Sequence, residues 1–246
     1  STAGATVDYA YESLLPSVLD PWAAHALYEA AHLARQHPGS RVWLVSVGPK
    51  ARLQQLMMST AQKAPFELVA RDGSASGFTD ALEVAAVLAD AIAGIAGLDR
   101  DRLLVFGGCA SASRDAGVTL QAVGERLGIE EQFLAVDELR VEDGGALRLK
   151  ERVEGGQYLV SVCAGPPAVV GWATGNLPEP PNNPQTGMQN MRSVMPALQR
   201  AVPVQVGTGG AVYASVAQPQ QRRQTRVVRD LPPEQVAREL VDWIRG

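Results

Sequence analysis

Apolar and polar positions alternate along this chain in two distinct rhythms. Residues 21–35, PWAAHALYEAAHLAR, repeat their apolar positions at helical spacing, with proline in the first turn and Asp20 placed to cap it. Residues 41–47, RVWLVSV, form a short apolar run stopped by Gly48-Pro49, which predicts a buried strand of the parallel kind. Helix and strand then take turns: helix at 50–64, strand at 66–70, helix at 79–95, strand at 102–107, a loop of small residues at 108–113, and helix at 115–127. Strict alternation of this sort predicts an α/β fold, a doubly wound and mostly parallel sheet of the Rossmann-like type.

Past Gly128 the rhythm changes. Runs at 133–140, 146–153 and 158–163 are shorter and are separated by Gly144-Gly145 and Gly155-Gly156, as expected of added antiparallel hairpins. An apolar run at 164–170 reads as a strand returning to the sheet. Residues 175–186, GNLPEPPNNPQT, are too rich in Pro, Gly and Asn for regular structure and read either as a docking loop or as a solvated linker. A short helix is expected at 188–200, a strand at 211–217, a polar connector at 218–224 and a terminal helix at 231–245. The organisation expected is an α/β domain over 1–175 that includes a hairpin extension at 130–165. A recognition loop with its short helix follows at 176–200, then a C-terminal arm and helix at 201–246.

Composition removes several classes of function. With 46% hydrophobic and 20% charged residues the chain is an ordinary globular protein, and a formal charge of −4 with 5% aromatics offers nothing to nucleic acid. The longest apolar stretch, 81–97, carries Glu83 and Asp90 and is too short to span a bilayer, so the protein is not expected to be membrane-embedded. Residues 1–10 lack a basic region followed by an apolar block, so no secretory signal is read, and the Ala- and Arg-heavy composition points to a bacterial cytoplasmic protein. Two distant cysteines, Cys109 and Cys163, make no framework. The three histidines (His25, His32, His37) lie within one helix or its end, which leaves no nucleophile–base pair and no metal set in view. Arg222, Arg223 and Arg226 form a basic cluster that reads as a solvated face or as an approach to a pyrophosphate.

The candidate chemistry lies in residues 103–128, where a buried strand runs through small residues into a helix. Unpaired N–H groups and the dipole at such a helix start favour an anion, Gly107 and Gly108 allow close approach, and Ser111, Ser113 and Thr119 can donate. The segment has no GxGxxG fingerprint and no P-loop, and an ordinary strand–loop–helix joint reads the same way. Cys109 within it reads as a small packing residue.

Six segments in register resemble the β (small) subunit of electron transfer flavoproteins. They are Leu19-Asp20-Pro21-Trp22 opening an Ala/Glu-rich helix; VSVGP at 45–49; the strand ending at Gly108 whose helix opens Asp115-Ala116-Gly117-Val118-Thr119; Glu154-Gly155-Gly156 followed by Pro166-Pro167-Ala168-Val169-Val170; Asn182-Asn183-Pro184 running to Val194-Met195; and the polar stretch 218–225 before the last helix. The resemblance implies an electron carrier without catalytic residues of its own. Its β subunit binds AMP, or a second FAD, and helps to hold the FAD of an α subunit. Electrons pass from a dehydrogenase, such as an acyl-CoA dehydrogenase, to a quinone reductase or another acceptor. It also implies a nucleotide site at Asp20, Pro21, Trp22, Ala23 and Val47, continued by the loop Gly108, Cys109, Ala110, Ser111, Ala112 and Ser113 and by Arg114, Asp115, Ala116, Gly117, Val118 and Thr119. Leu177, Met188 and Met191 become candidate anchors for the electron donor, the other reading being that they pack on the protein's own surface.

The chain departs from the family in three places. Asp20 stands where the family has Asn. The family's Asp-x-Asn-Gln-Thr-Gly keeps only Asp115 and Thr119 here. The apolar first strand is represented only by its tail, Thr6-Val7-Asp8-Tyr9-Ala10-Tyr11. A stand-alone adenine-nucleotide-binding regulatory protein on a similar fold is the other class of function.

Overall fold

Asp20 sets the first element in place. Its carboxylate accepts the backbone N–H of Trp22 at 3.0 Å and of Ala23 at 3.5 Å, so helix α1 (Pro21–Gln36) starts where the capping signal predicts. In this computed structural model the described residues are 17–75, 79–112, 117–211, 227 and 229–245. After α1 come strand β1 (Trp43–Gly48), helix α2 (Lys50–Thr60), strand β2 (Glu67–Asp72), helix α3 (Ala81–Ala93), strand β3 (Leu104–Gly108) and helix α4 (Thr119–Leu127). Strands β4 (Gln132–Val141), β5 (Leu147–Val153), β6 (Gln157–Cys163) and β7 (Ala168–Trp172) follow. Helix α5 (Pro184–Gln199), the two-residue strand β8 (Val202–Pro203) and helix α6 (Pro233–Arg245) complete the order.

The strands form two ladders among the described residues, β1-β2-β8 and β3-β7-β4-β5-β6. Every pairing within the first is parallel, as are β3 with β7 and β7 with β4; only β4-β5 and β5-β6 are antiparallel. This is the mostly parallel α/β sheet, with its added hairpins, that the alternation predicts. Strand β7 shows why a continuous apolar run belongs there. Val169 packs toward Ala85, Ala89 and Val123 of α3 and α4, whereas Ala168, Val170 and Trp172 pack with Ala26 of α1 and with Val136, Leu147 and Leu149. Covered on both faces, all five of its residues are buried. A third cluster joins Leu27 and Tyr28 of α1, Leu53 and Met57 of α2, Phe66 and Leu68, and Val194 and Leu198 of α5.

Two helix starts differ from the sequence reading. Helix α4 is described from Thr119, later than expected, and Gly117 and Val118 are not helical. Helix α5 begins at Pro184 instead of 188, because Asn183 caps it by accepting from Gln185 N at 3.0 Å and Thr186 N at 3.2 Å. The Asn-Asn-Pro that suggested loop is therefore a cap followed by the proline tolerated in a first helical turn. Met188 and Met191 sit on this helix, as the expected helix at 188–200 implies. The expected strand at 211–217, the connector at 218–224, the basic cluster and residues 1–16 fall outside the described residues, Ala211 apart.

The chain divides into two units. One spans Tyr11–Ala214 and contains both ladders; the other takes Ser1–Ala10 and Ser215–Gly246 and, among its described residues, contains α6. Among the described residues no helix is long and apolar enough to cross a membrane.

Candidate functional site

The loop after β3 and the start of α1 are held together by one carboxylate. Asp20 Oδ1 caps α1, and its Oδ2 accepts the N–H of Ala112 at 2.7 Å. Gly108 makes the approach possible: a Cβ there would lie 2.8 Å from Trp22 Cβ and 3.1 Å from Ala23 N. Asp20, Pro21, Trp22, Ala23, Gly108, Ala110 and Ala112 are thus assembled at the carboxyl ends of the strands, the customary ligand position in an open α/β sheet. Cys109 N donates to Trp172 O at 2.8 Å, which ties the loop to β7. A Cβ on Gly117 would fall 1.8 Å from Cys109 O, so only glycine lets the chain lead back across the loop into α4. Ser111 is partly buried beside them. Val47 belongs to the other ladder, at the carboxyl end of β1. Ser113, Arg114, Asp115 and Ala116 lie outside the described residues.

The sequence reading expects an anion at this corner, and the two helix starts would treat one differently. At α1 three backbone N–H groups already point at the Asp20 carboxylate, a built-in anion that would repel a second. Helix α4, by contrast, has no side-chain cap at Val118, so among the described residues no such cap meets its first-turn N–H groups at Thr119, Leu120 and Gln121. Both amide atoms of the Gln121 side chain are buried with no hydrogen-bond partner among the described residues, an arrangement that costs free energy unless another polar group completes it. Gln121 escapes sequence reading because a lone Gln one turn into a helix carries no motif. Among the described residues, the start of α4 suits an anion better than the start of α1 does.

Cys109 is half-buried, and burial pushes its thiol above the ordinary range. A neutral thiol is a poor nucleophile, which agrees with the packing reading. Beside it, a bulge in β4 with Ala135 at φ 51° puts Val136 and Asp137 both inward. Arg152 then grips the buried Asp137 with Nε at 3.0 Å and Nη2 at 2.9 Å, and Nη2 donates to Thr174 Oγ1 at 2.8 Å. Periodicity does not reveal this cluster, because the bulge breaks the alternation that a strand reading assumes.

A second surface lies on α2 and α5. Met58, Gln62, Pro184, Gly187, Met188, Met191 and Arg192 line an open groove of about 510 Å³. Met58 and Met188 are exposed, while Met191 is half-buried against the core. Buried Asn190 fixes the helix beneath: its Nδ2 donates to Ala61 O and Ala64 O, each at 2.7 Å. Lys63 pairs with Glu179 at 2.5 Å and donates to Pro180 O at 3.0 Å, which pins the Pro-rich stretch leading into the helix. Of the three candidate anchors, Met188 and Met191 therefore share a groove, and half-buried Leu177 is not among its lining residues.

The acids at the start of α3 do similar work. Glu83 accepts N–H bonds from Gly207, Thr208 and, at 2.6 Å, Gly209, while Asp80 accepts from Ala211 at 2.8 Å. Those four amides converge on carboxylates 124 or more residues away in sequence, a relation no local pattern displays.

The electron transfer flavoprotein domain model matches residues 11–200. No curated protein matches the chain. The matched span takes in every strand but β8, the assembled loop at Asp20 and Gly108, and the groove on α5, so the chain belongs to the electron transfer flavoprotein domain family.

Proposed function

We propose that this chain is the β subunit of a heterodimeric electron transfer flavoprotein. In this reading it binds AMP or a second FAD, helps to hold the FAD of an α subunit, and passes electrons from a dehydrogenase, such as an acyl-CoA dehydrogenase, to a quinone reductase or another acceptor. The observation that carries the subunit assignment is α6. Its apolar residues Val236, Leu240, Trp243 and Ile244 recur along one side of the helix, none is buried, and Trp243 is 81% exposed. A helix with such a stripe gains stability only against another surface, and the C-terminal arm of a β subunit has that surface in its partner.

Family membership supports electron transport and a flavin cofactor in general. The flavin, when bound, supplies the redox chemistry, and this chain's residues bind and position. The first turn of α4 with Gln121 would hold the nucleotide phosphate, while Asp20 braces the loop from behind. Met188 and Met191, with the adaptable thioether surface of Met58, would grip the electron donor from the groove on α5.

Co-expression with the neighbouring open reading frame, purification and an absorption spectrum test the reading. A yellow heterodimer that releases AMP or a second FAD on denaturation is the expected result. A colourless homodimer carrying an adenine nucleotide would overturn it in favour of the stand-alone regulatory binder.

A further inference from the structure

Among the described residues, strand β6 pairs on one side only. It pairs with β5 over seven consecutive residues, Val153↔Gln157 through Leu147↔Cys163, without a break in register, and it ends the order of its ladder. An edge of this length presents a row of backbone N–H and C=O groups, and proteins usually blunt such edges with charge, proline or a bulge. Residues 157–163, Gln-Tyr-Leu-Val-Ser-Val-Cys, contain no charged residue and no proline, and the pairing shows no bulge. Four of their large side chains are left open: Tyr158 46%, Leu159 54%, Val160 47% and Val162 61% exposed. In the same ladder Trp172 is fully buried, so this is a local property of the β6 edge.

The charge beside it narrows the choice of occupant. Tyr158, Val160 and Val162 lie opposite Arg152, Lys150 and Arg148 on one face, with Arg140 and Glu138 in the next row. Arg152 is held by Asp137, and Arg140 pairs with Glu138 at 2.5 Å. Lys150 rests 4.1 Å from the centre of the Tyr158 ring. Arg148 and Lys150 have no carboxylate partner among the described residues. A second copy paired along β6 would bring a second set of these cations onto the same face, separated by only two strands, which like charge disfavours. An uncharged strand edge backed by acidic side chains fits both features.

We propose that β6 is a docking edge that receives, by strand addition, an uncharged edge strand of the other flavoprotein subunit, whose acidic side chains meet Arg148 and Lys150. Main-chain hydrogen bonds supply the register, Val160 and Val162 supply the desolvated centre, and the cations select the partner. The identity of the partner rests on the heterodimer reading; the edge and its charge do not.

The test uses the full chain co-purified with the α subunit, with hydrogen exchange followed at residues 157–163 and with Val160→Lys and Arg148→Glu as variants. Both positions are exposed or at a strand edge, and circular dichroism verifies that the variants fold. In the heterodimer, the β6 amides that face away from β5 should gain protection relative to the isolated chain. Each substitution should weaken heterodimer affinity by roughly tenfold or more, and Arg148→Glu should also flatten its salt dependence. Unchanged exchange at β6, with both variants binding like the parent, overturns the docking edge and leaves the heterodimer standing. A chain that ignores the α subunit but self-associates until Val160→Lys makes it monomeric overturns both.

Discussion

Asn190 and Glu29 show how much individual polar residues decide here. Asn190 is buried and donates to two carbonyls at the end of α2. Asn190→Ala leaves both unpaired and should destabilise the protein by about 1–3 kcal/mol, measured by urea unfolding. Glu29, on α1, has its carboxyl pushed up to about 7, chiefly by burial and further by Glu138; a hydrogen bond from the Asn176 backbone acts in the opposite direction. The folded state therefore holds this proton more tightly than the unfolded chain does. The resulting stabilisation is complete below the unfolded value near 4.5 and is lost as pH rises through about 7. Glu29→Gln should flatten the fall in Tm between pH 5 and 8 and make the variant the more stable protein at pH 8. Neither role shows in the sequence, where Asn190 and Glu29 are each one polar residue within a helical stretch.

At the scale of elements, the joint between β3 and α4 is the part whose sequence said most and whose geometry said something different. A strand, small residues and a helix start suggest an anion site, and the elements are arranged that way. The cradle nearest Gly108, however, is filled by Asp20, and the helix start that lacks a side-chain cap lies at Val118. Gly117 is the hinge of this arrangement. Gly117→Ala forces a carbon into the Cys109 carbonyl, and the loop must shift. Its stability should fall by about 1–3 kcal/mol, with loss of any nucleotide held at the start of α4, read by thermal denaturation and by the nucleotide released from purified protein. The hairpins illustrate the opposite case. Gly-Gly pairs mark the turns reliably, because positive φ at Gly144, Gly145, Gly155 and Gly156 is a local requirement.

For the whole molecule, two apolar surfaces stand out: the stripe on α6 and the edge of β6. Each is larger than a scatter of surface hydrophobes and each calls for a partner. The double variant Trp243→Ser/Ile244→Ser should make the chain more soluble when expressed by itself. The same change should weaken heterodimer formation by roughly tenfold or more, compared by size-exclusion chromatography at matched concentrations. A chain whose solubility and assembly are both indifferent to these changes does not use α6 as an interface.

The sequence by itself determined the α/β alternation, the hairpin extension, the cap of α1 at Asp20 and the family, because these rest on periodicity, turn chemistry and short motifs that act between near neighbours. Only the tertiary structure decided that Asp20 fills the cradle it helps to build, and that the Gln121 amide is buried without a partner among the described residues. It alone brought Met188 and Met191 into one groove with Met58, and left β6 an unprotected edge among the described residues. Each of these depends on residues far apart in the chain meeting in space, as Ala112 meets Asp20 across 92 positions. Local pattern carries no record of such meetings, because a side chain's partner is set by how the elements pack and not by its place in the sequence.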